Sequence, residues 1–509
     1  MAQDNGKIVI IGGGIAGLCA GVYARRCGYA VDLIEMHDVP GGLATSWHRQ
    51  GYTFETCLHW LLGSKRGRPM FAHWQEVFDI GKLDFVHSNV FVTVEGGGKT
   101  LSIYTDIDML EAELLCVAPE DAEEIGTFTR AIRHLSDFEM PELDAGGLRG
   151  WLSLVPMLRF MPALQHWSHI SLSDYGARFT NPLLRQFFMG GTAELSALTV
   201  ILSLAWMNQH DADYPIGGSQ AVIAPIAETF RDLGGRLITG TRVERILVED
   251  GAAVGVALAG GGTIRADRVI SAADGHATIY DMLGGAYRDD AIDQAYAELK
   301  PFPSYLQVSF GVSRDLAGEP GYVTRMLDTP IAVDPGTEAN QVSFRIFNYD
   351  PSFAPAGKTA VTALIATRNH AYWSELRDTD PAGYRREKDR IAAAVAAVLE
   401  ERLPGIGASI EVTDVSTPAT VIRYTGNWQG SMEGWLITPG SGLKQLATTL
   451  PGLRNFRMIG QWVMPGGGLP TGLLTARSAI HALCREDGVP FAVASPVAEL
   501  EREGAGAAA

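Results

Sequence analysis

"KIVIIGGGIAG", residues 7–17, is the stretch whose reading decides the fold. Ile8 to Ile11 form an unbroken β-branched run, as in a strand buried on both faces of a parallel sheet, and they lead directly into glycines at 12, 14 and 17. At that spacing Gly12 permits a tight turn, Gly14 lets the backbone approach a pyrophosphate, and Gly17 lets the following helix pack close to the strand. Ile15 and Ala16 lie between them and are counted with the dinucleotide contacts. The helix is predicted to run through "AGLCAGVYARRCG" and stop at Gly28, with "AVDLIE" as the second strand. That strand ends in Glu35, where a carboxylate can accept hydrogen bonds from ribose hydroxyls and would repel a 2′-phosphate, which argues against NADP. Met36, next to it, joins the contact set.

The glycine spacing alone does not separate NAD from FAD. The next thirty residues, "EMHDVPGGLATSWHRQGYTFETCLHWLLGS", carry Gly41 and Gly42, which offer a second close backbone approach and extend the phosphate cradle toward a longer cofactor. Here the chain resembles the phytoene desaturase, carotenoid isomerase and retinol saturase group of FAD-dependent oxidoreductases. The matching residues are Glu35, Gly41, Gly42, Gly51, Tyr52, Phe54 and Glu55. The chain departs from the pattern at Leu43, where a polar residue or arginine is common, and at Thr56-Cys57-Leu58-His59-Trp60, where a small glycine-type segment is common.

The resemblance implies further contacts to FAD. Val243, at the start of "VERILVED", would return to the adenine, and Ala272 in "VISAAD" would lie beside the cofactor; both are equally compatible with ordinary buried strands. Near the other end of the chain, "LRNFRMIG" reads as a strand, "QWVMPGGGLPTG" as a glycine-rich loop, and "LLTARSAIHALCRE" as a helix. A helix N-terminus presents unpaired N–H groups and partial positive charge, which can stabilise an electron-rich flavin. By the resemblance Gly460, Gly467, Gly468 and Leu469 would cap the isoalloxazine, with Thr471 and Gly472 beginning the helix. Gln461 stands where many such flavoproteins carry an acid.

Flavin chemistry on carbon–carbon bonds asks little of side chains beyond a dry pocket and sometimes a group that moves a proton. His59 is the candidate for that group, the alternative being a histidine hydrogen-bonded within a packed loop; Cys57 is a weaker one because no basic partner is adjacent. Trp60, Tyr214 and Tyr424, with Trp428, are candidates for the substrate channel or, equally, core aromatics.

Forty-one basic against fifty-eight acidic residues leave a net charge of −17, which speaks against a nucleic-acid partner. Five scattered cysteines without a C-x-x-C pair indicate neither a disulfide framework nor a zinc site, and a reducing, cytoplasmic setting is expected. No secretion signal is visible at the N-terminus. No run approaches the roughly 18 apolar residues of a membrane span. "GWLSLVPMLRFMPALQHWSHISL", residues 150–172, lacks acids and is broken by Pro156 and Pro162, which suits a greasy lid or peripheral contact with a bilayer surface as well as a core helix.

The expected fold is an α/β composite. A Rossmann-like FAD-binding domain is assembled discontinuously from 1–85, 214–289 and 446–490. A domain of mixed β-sheet and helices, built from 86–213 and 290–445, holds an apolar small-molecule substrate, and 491–509 forms a tail. The leading function is FAD-dependent desaturation, saturation or isomerisation at carbon–carbon bonds of a long apolar polyene or isoprenoid-like substrate. A flavin amine oxidase, and a non-redox prenyl-lipid carrier like the Rab escort and GDP-dissociation-inhibitor proteins, are the alternatives. The electron acceptor is not written in these residues.

Overall fold

A computed structural model describes residues 5–140, 155–190, 192–441 and 445–493. Lys7–Ile11 is a strand, Ile15–Arg26 a helix and Ala30–Ile34 the second strand, so the opening stretch folds as its pattern dictates. These strands belong to a five-stranded parallel sheet in the order Arg236–Ile238, Ala30–Ile34, Lys7–Ile11, Arg268–Ser271, Phe456–Met458. The chain leaves the first strand toward one side, while Arg268–Ser271 and Phe456–Met458 occupy the other. The order therefore reverses at the carboxyl end of Lys7–Ile11, and such a reversal opens a crevice there.

Three helices, Ile15–Arg26, Gly218–Asp232 and Gly468–Asp487, share one core with the inner face of this sheet, through Leu18, Val22, Ile226, Phe230, Leu473 and Ile480. Val9, Ile11 and Val269 face the other way and pack on an antiparallel meander, Val243–Glu249, Ala252–Leu258 and Thr263–Arg265. Alternate residues of one strand thus serve two cores, which is why the strand reads as uninterruptedly apolar.

The second large sheet has seven strands in the order Ile410–Ser416, Ser304–Val312, Thr359–Thr367, Thr337–Ile346, Tyr322–Asp334, Val90–Gly96, Lys99–Tyr104. All its pairings are antiparallel except Tyr322–Asp334 with Val90–Gly96. Helices between residues 107 and 208 pack on one end of it around Phe128, Tyr175, Phe179 and Phe188, and Pro381–Arg402 covers the other.

Two local readings change. The C-terminal helix begins at Gly468, not at Thr471 and Gly472, so Pro470 lies in its first turn, where an absent N–H costs no intrahelical bond. Of residues 150–172, the first five lie outside the described residues; the remainder forms a short 3-10 turn, Val155–Arg159, and two helices, Met161–Ser168 and Leu172–Gly176, with Pro162 in the first turn of Met161–Ser168. Leu164 and Trp167 join the core, while Leu158 and Met161 are 64% and 49% exposed. The apolar run from Leu198 is the core helix Ala197–Asn208, buried through Leu198, Ile201, Leu204 and Met207.

Candidate cofactor cleft and active site

A long cleft opens at the carboxyl ends of the parallel strands. Four separated parts of the chain line it, residues 11–44, 241–282, 424–433 and 459–472, together with Cys57. At its centre the glycines divide their work as their spacing predicts. A Cβ on Gly17 would stand 1.9 Å from the Gly12 carbonyl oxygen, so only glycine allows the helix this close to the turn. A Cβ on Gly14 would meet nothing nearer than 3.9 Å. Its bareness therefore serves the cleft rather than the packing, as close approach by a phosphate requires. Gly41 N donates to the Gly13 carbonyl at 2.9 Å and bridges beside Gly14, which brings the second glycine pair against the first.

Glu35 closes one end. Its carboxylate accepts from the N–H of Gly13 at 2.6 Å and of His37 at 2.8 Å. Burial raises its affinity for a proton, and these two N–H groups oppose that rise. Met36, Arg242, Val243 and Tyr424 surround it. Tyr424 packs edge-on against His37, with ring centroids 5.0 Å apart, so this aromatic stands at the Glu35 end, where it also lines an adjoining cavity with Trp47 and Met432. Trp428 stacks on His276 at 5.0 Å instead of lining the cleft.

Toward the late glycine loop the cleft is lined by Cys57, Glu433, Gly460, Gln461, Gly468 and Leu469, while Leu43 and Met432 line both this cleft and the cavity beside Glu35 and His37. The start of the C-terminal helix faces this end, and Gly460 N is fixed by the Thr475 hydroxyl at 2.9 Å. Gly467, expected to cap the cofactor, does not line the cleft. Its missing side chain makes room for Glu433, whose Cβ and carbonyl oxygen would both lie 2.5 Å from a Cβ at 467.

A second cavity of about 290 Å³ lies across the loop Thr56–Trp60. Cys57 faces the cleft, whereas His59 and Trp60 face this cavity, together with Phe91, Met207, Tyr214, Tyr322, Arg345 and Tyr349. The Tyr214 hydroxyl donates to Asp350 at 3.0 Å, and the Arg345 guanidinium lies 4.0 Å over the Tyr322 ring. Desolvation, and secondarily the charge of Arg345, hold the His59 imidazole well below its ordinary pKa and therefore neutral. Burial pushes the Cys57 thiol far up, leaving no reactive thiolate. At the rim, His87, His210 and Asp213 bring potential ligand atoms within 4.8 Å of one another, a juxtaposition that no sequence spacing announces.

Two carboxyls of the cleft, one buried and one half-buried, carry no motif that would mark them in the sequence. Asp274 is pushed up to about 7 by burial, yet both its oxygens are engaged, by the N–H of Ala277 at 2.7 Å and of Trp428 at 2.8 Å. Glu433 is also pushed up to about 7, by desolvation alone. The only sequence signal for it is one acid inside the otherwise uncharged run "NWQGSMEGWLI".

Comparison with known proteins agrees with this layout. The profile of the family described as "Flavin containing amine oxidoreductase" matches residues 15–479. A phytoene desaturase (lycopene-forming) from a Paracoccus species is 25% identical over 503 residues, covering 93% of this chain and 96% of its own. A chloroplastic prolycopene isomerase from Daucus carota is 23% identical over 507 residues, covering 94% and 80%. Among solved structures, an oxidoreductase from Methanosarcina mazei superposes with a TM-score of 0.58 at 17% identity, covering 93% of this chain and 99% of that one. A putrescine oxidase bound to putrescine superposes with a TM-score of 0.59 at 14% identity, covering 94% and 99%.

Proposed function

This chain belongs to the flavin containing amine oxidoreductase family and is an FAD-dependent oxidoreductase; from that premise we propose that it acts on the carbon–carbon bonds of a long apolar polyene or isoprenoid. The observation that carries the substrate class is the near full-length similarity to phytoene desaturases and prolycopene isomerases, proteins named for activity on such molecules. The aromatic and aliphatic lining of the second cavity supports it.

When bound, FAD supplies the hydride acceptor or donor. The chain's residues fit it: Gly12, Gly14, Ile15, Ala16, Gly41 and Gly42 would hold the pyrophosphate, and Glu35, Met36 and Val243 the adenosine. Leu43, Ala272, Gly460, Gln461, Gly468 and Leu469 would surround the flavin end. Gly17 would serve the turn and Gly467 the neighbouring segment, both from outside the cleft. Residues 1–85, 214–289 and 446–490 would form the cofactor domain and 86–213 with 290–445 the substrate domain, because every strand of the parallel sheet comes from the first set. Trp60 and Tyr214 would bound the substrate, and neutral His59 would line its path without carrying charge.

Anaerobic mixing of the FAD-loaded protein with phytoene or lycopene in detergent micelles is expected to bleach the flavin or yield altered polyene. Bleaching by putrescine with polyenes inert would transfer the protein to amine oxidation. Among the described residues no helix is long and apolar enough to cross a membrane. Exposed Leu158 and Met161 would instead dip into a bilayer surface that stores the substrate. Replacing both with glutamate is expected to lower co-sedimentation with lipid vesicles about tenfold, and unchanged sedimentation would remove the membrane contact from the proposal.

A further inference from the structure

Among the carboxyls of the cleft, Glu433 differs in having nothing to do. It lines the cavity, and among the described residues no hydrogen bond or ion pair engages its carboxyl. Its position is nevertheless fixed. Gly466 N donates to the Trp435 carbonyl at 3.0 Å, the Trp435 indole donates to the Trp462 carbonyl at 3.0 Å, and Leu436 N donates to the Lys300 carbonyl at 2.9 Å. Gly467 presses on the backbone of Glu433, and a Cβ at Gly434 would stand 2.5 Å from the Gln461 carbonyl. The segment is thus clamped along the late glycine loop, beside the first turn of the C-terminal helix, with an unpaired carboxyl in the cavity. Glu433 is half-buried and open to the cleft, and a free carboxyl with raised proton affinity lining a cleft is the mark of a functional group.

We propose that Glu433 is the proton-transferring catalytic residue of the flavin cleft. The proposal rests on the reading that the substrate is a hydrocarbon undergoing change at carbon–carbon bonds. In a desaturation, bound FAD would supply the acceptor for the hydride that leaves one carbon, and the Glu433 carboxylate would take the proton that leaves its neighbour. The electron pair of the second C–H bond becomes the new π bond, so one hydride and one proton leave and the double bond forms. A carboxyl held at about 7 can accept that proton and release it near neutrality. The titratable groups facing it are Cys57 from the loop Thr56–Trp60 and Tyr305 from the strand Ser304–Val312. Burial and Glu433 push both up, so both stay neutral, and Tyr305 is held at about 12. Arg368, whose charge Tyr305 feels, is taken up by Glu194 at 2.7 Å.

The test compares the wild-type holoenzyme with Glu433→Gln, which keeps the side-chain volume and the contact with Gly467. First, without substrate, protons taken up per two-electron reduction are counted with an indicator dye at pH 8. Wild type is expected to take up about two, one on the flavin and one on Glu433, and E433Q about one. Equal counts would overturn the proposal. Second, with phytoene, E433Q is expected to slow flavin bleaching by about 100-fold or more at unchanged FAD content; equal rates would overturn it. If no polyene bleaches wild type, the substrate reading fails while the proton count still decides Glu433. Should E433Q not fold, Glu433→Asp replaces it: two protons taken up with slowed bleaching support the proposal, and an unslowed rate opposes it.

Discussion

At the residue scale, two glycines three positions apart do opposite things. Gly17 is needed by the fold, because a methyl group there would collide with the Gly12 carbonyl oxygen at 1.9 Å. Gly14 is not needed by the packing, because a methyl group there would touch almost nothing in the protein itself, which leaves its bareness to a ligand in the cleft as the proposed reason. Gly14→Val is therefore expected to reduce FAD content below about a tenth of wild type while leaving the unfolding free energy of the FAD-free protein within about 1 kcal/mol of wild type. Full flavin content in that variant would refute the cleft assignment. Gly17→Ala is expected to cost about 3 kcal/mol or more in the FAD-free protein, through overpacking against backbone that cannot yield. Urea denaturation of the two apoproteins separates these cases. The packing role of Gly17 was legible from spacing alone, whereas that of Gly467 was not: nothing local says that Glu433, thirty-four positions earlier, will press against it.

At the element scale, the helix Gly218–Asp232 starts on a buried acid. Glu55, at the end of the strand Tyr52–Glu55, accepts from Ser219 N at 2.8 Å, placing a carboxylate at the positive end of the helix. Burial nevertheless outweighs that bond and pushes Glu55 up to about 7 from 4.5. The folded state then holds a proton that the unfolded chain has released between roughly pH 4.5 and 7. The stabilising contribution of this group is full below that window, is lost as pH rises through it, and is flat above. Glu55→Gln, which can still accept from Ser219, is expected to gain about 2 to 3 kcal/mol relative to wild type between pH 5 and pH 8. A pH-independent difference between their urea midpoints would show that Glu55 stays ionised. The acid itself was readable in "GYTFE"; its partner, 164 residues later, was not.

At the scale of the whole molecule, one cleft draws on residues 11–44, 241–282, 424–433 and 459–472, so a ligand that fills it would tie the two ends of the chain together. Removing FAD is expected to destabilise the native state, and restoring it at about 100 times its Kd should return about 2.7 kcal/mol. Thermal unfolding of apoprotein titrated with FAD checks this, with AMP alone expected to recover only part. An unfolding temperature indifferent to FAD would mean that the native state does not bind it, against the cleft assignment.

The parallel sheet, the turn glycines, the acid ending the second strand and the strand–loop–helix at the C-terminus were determined by the sequence itself. Each rests on backbone sterics and hydrophobic period over a dozen neighbouring residues. What the tertiary structure alone decided is which side chains share a space. It sent Tyr424 to the Glu35 end, turned His59 into the second cavity while Cys57 faces the first, and set an unpaired Glu433 beside the late glycines. Burial and partnership are properties of distant segments brought together, and a carboxyl's chemistry is set by them rather than by its neighbours in the chain.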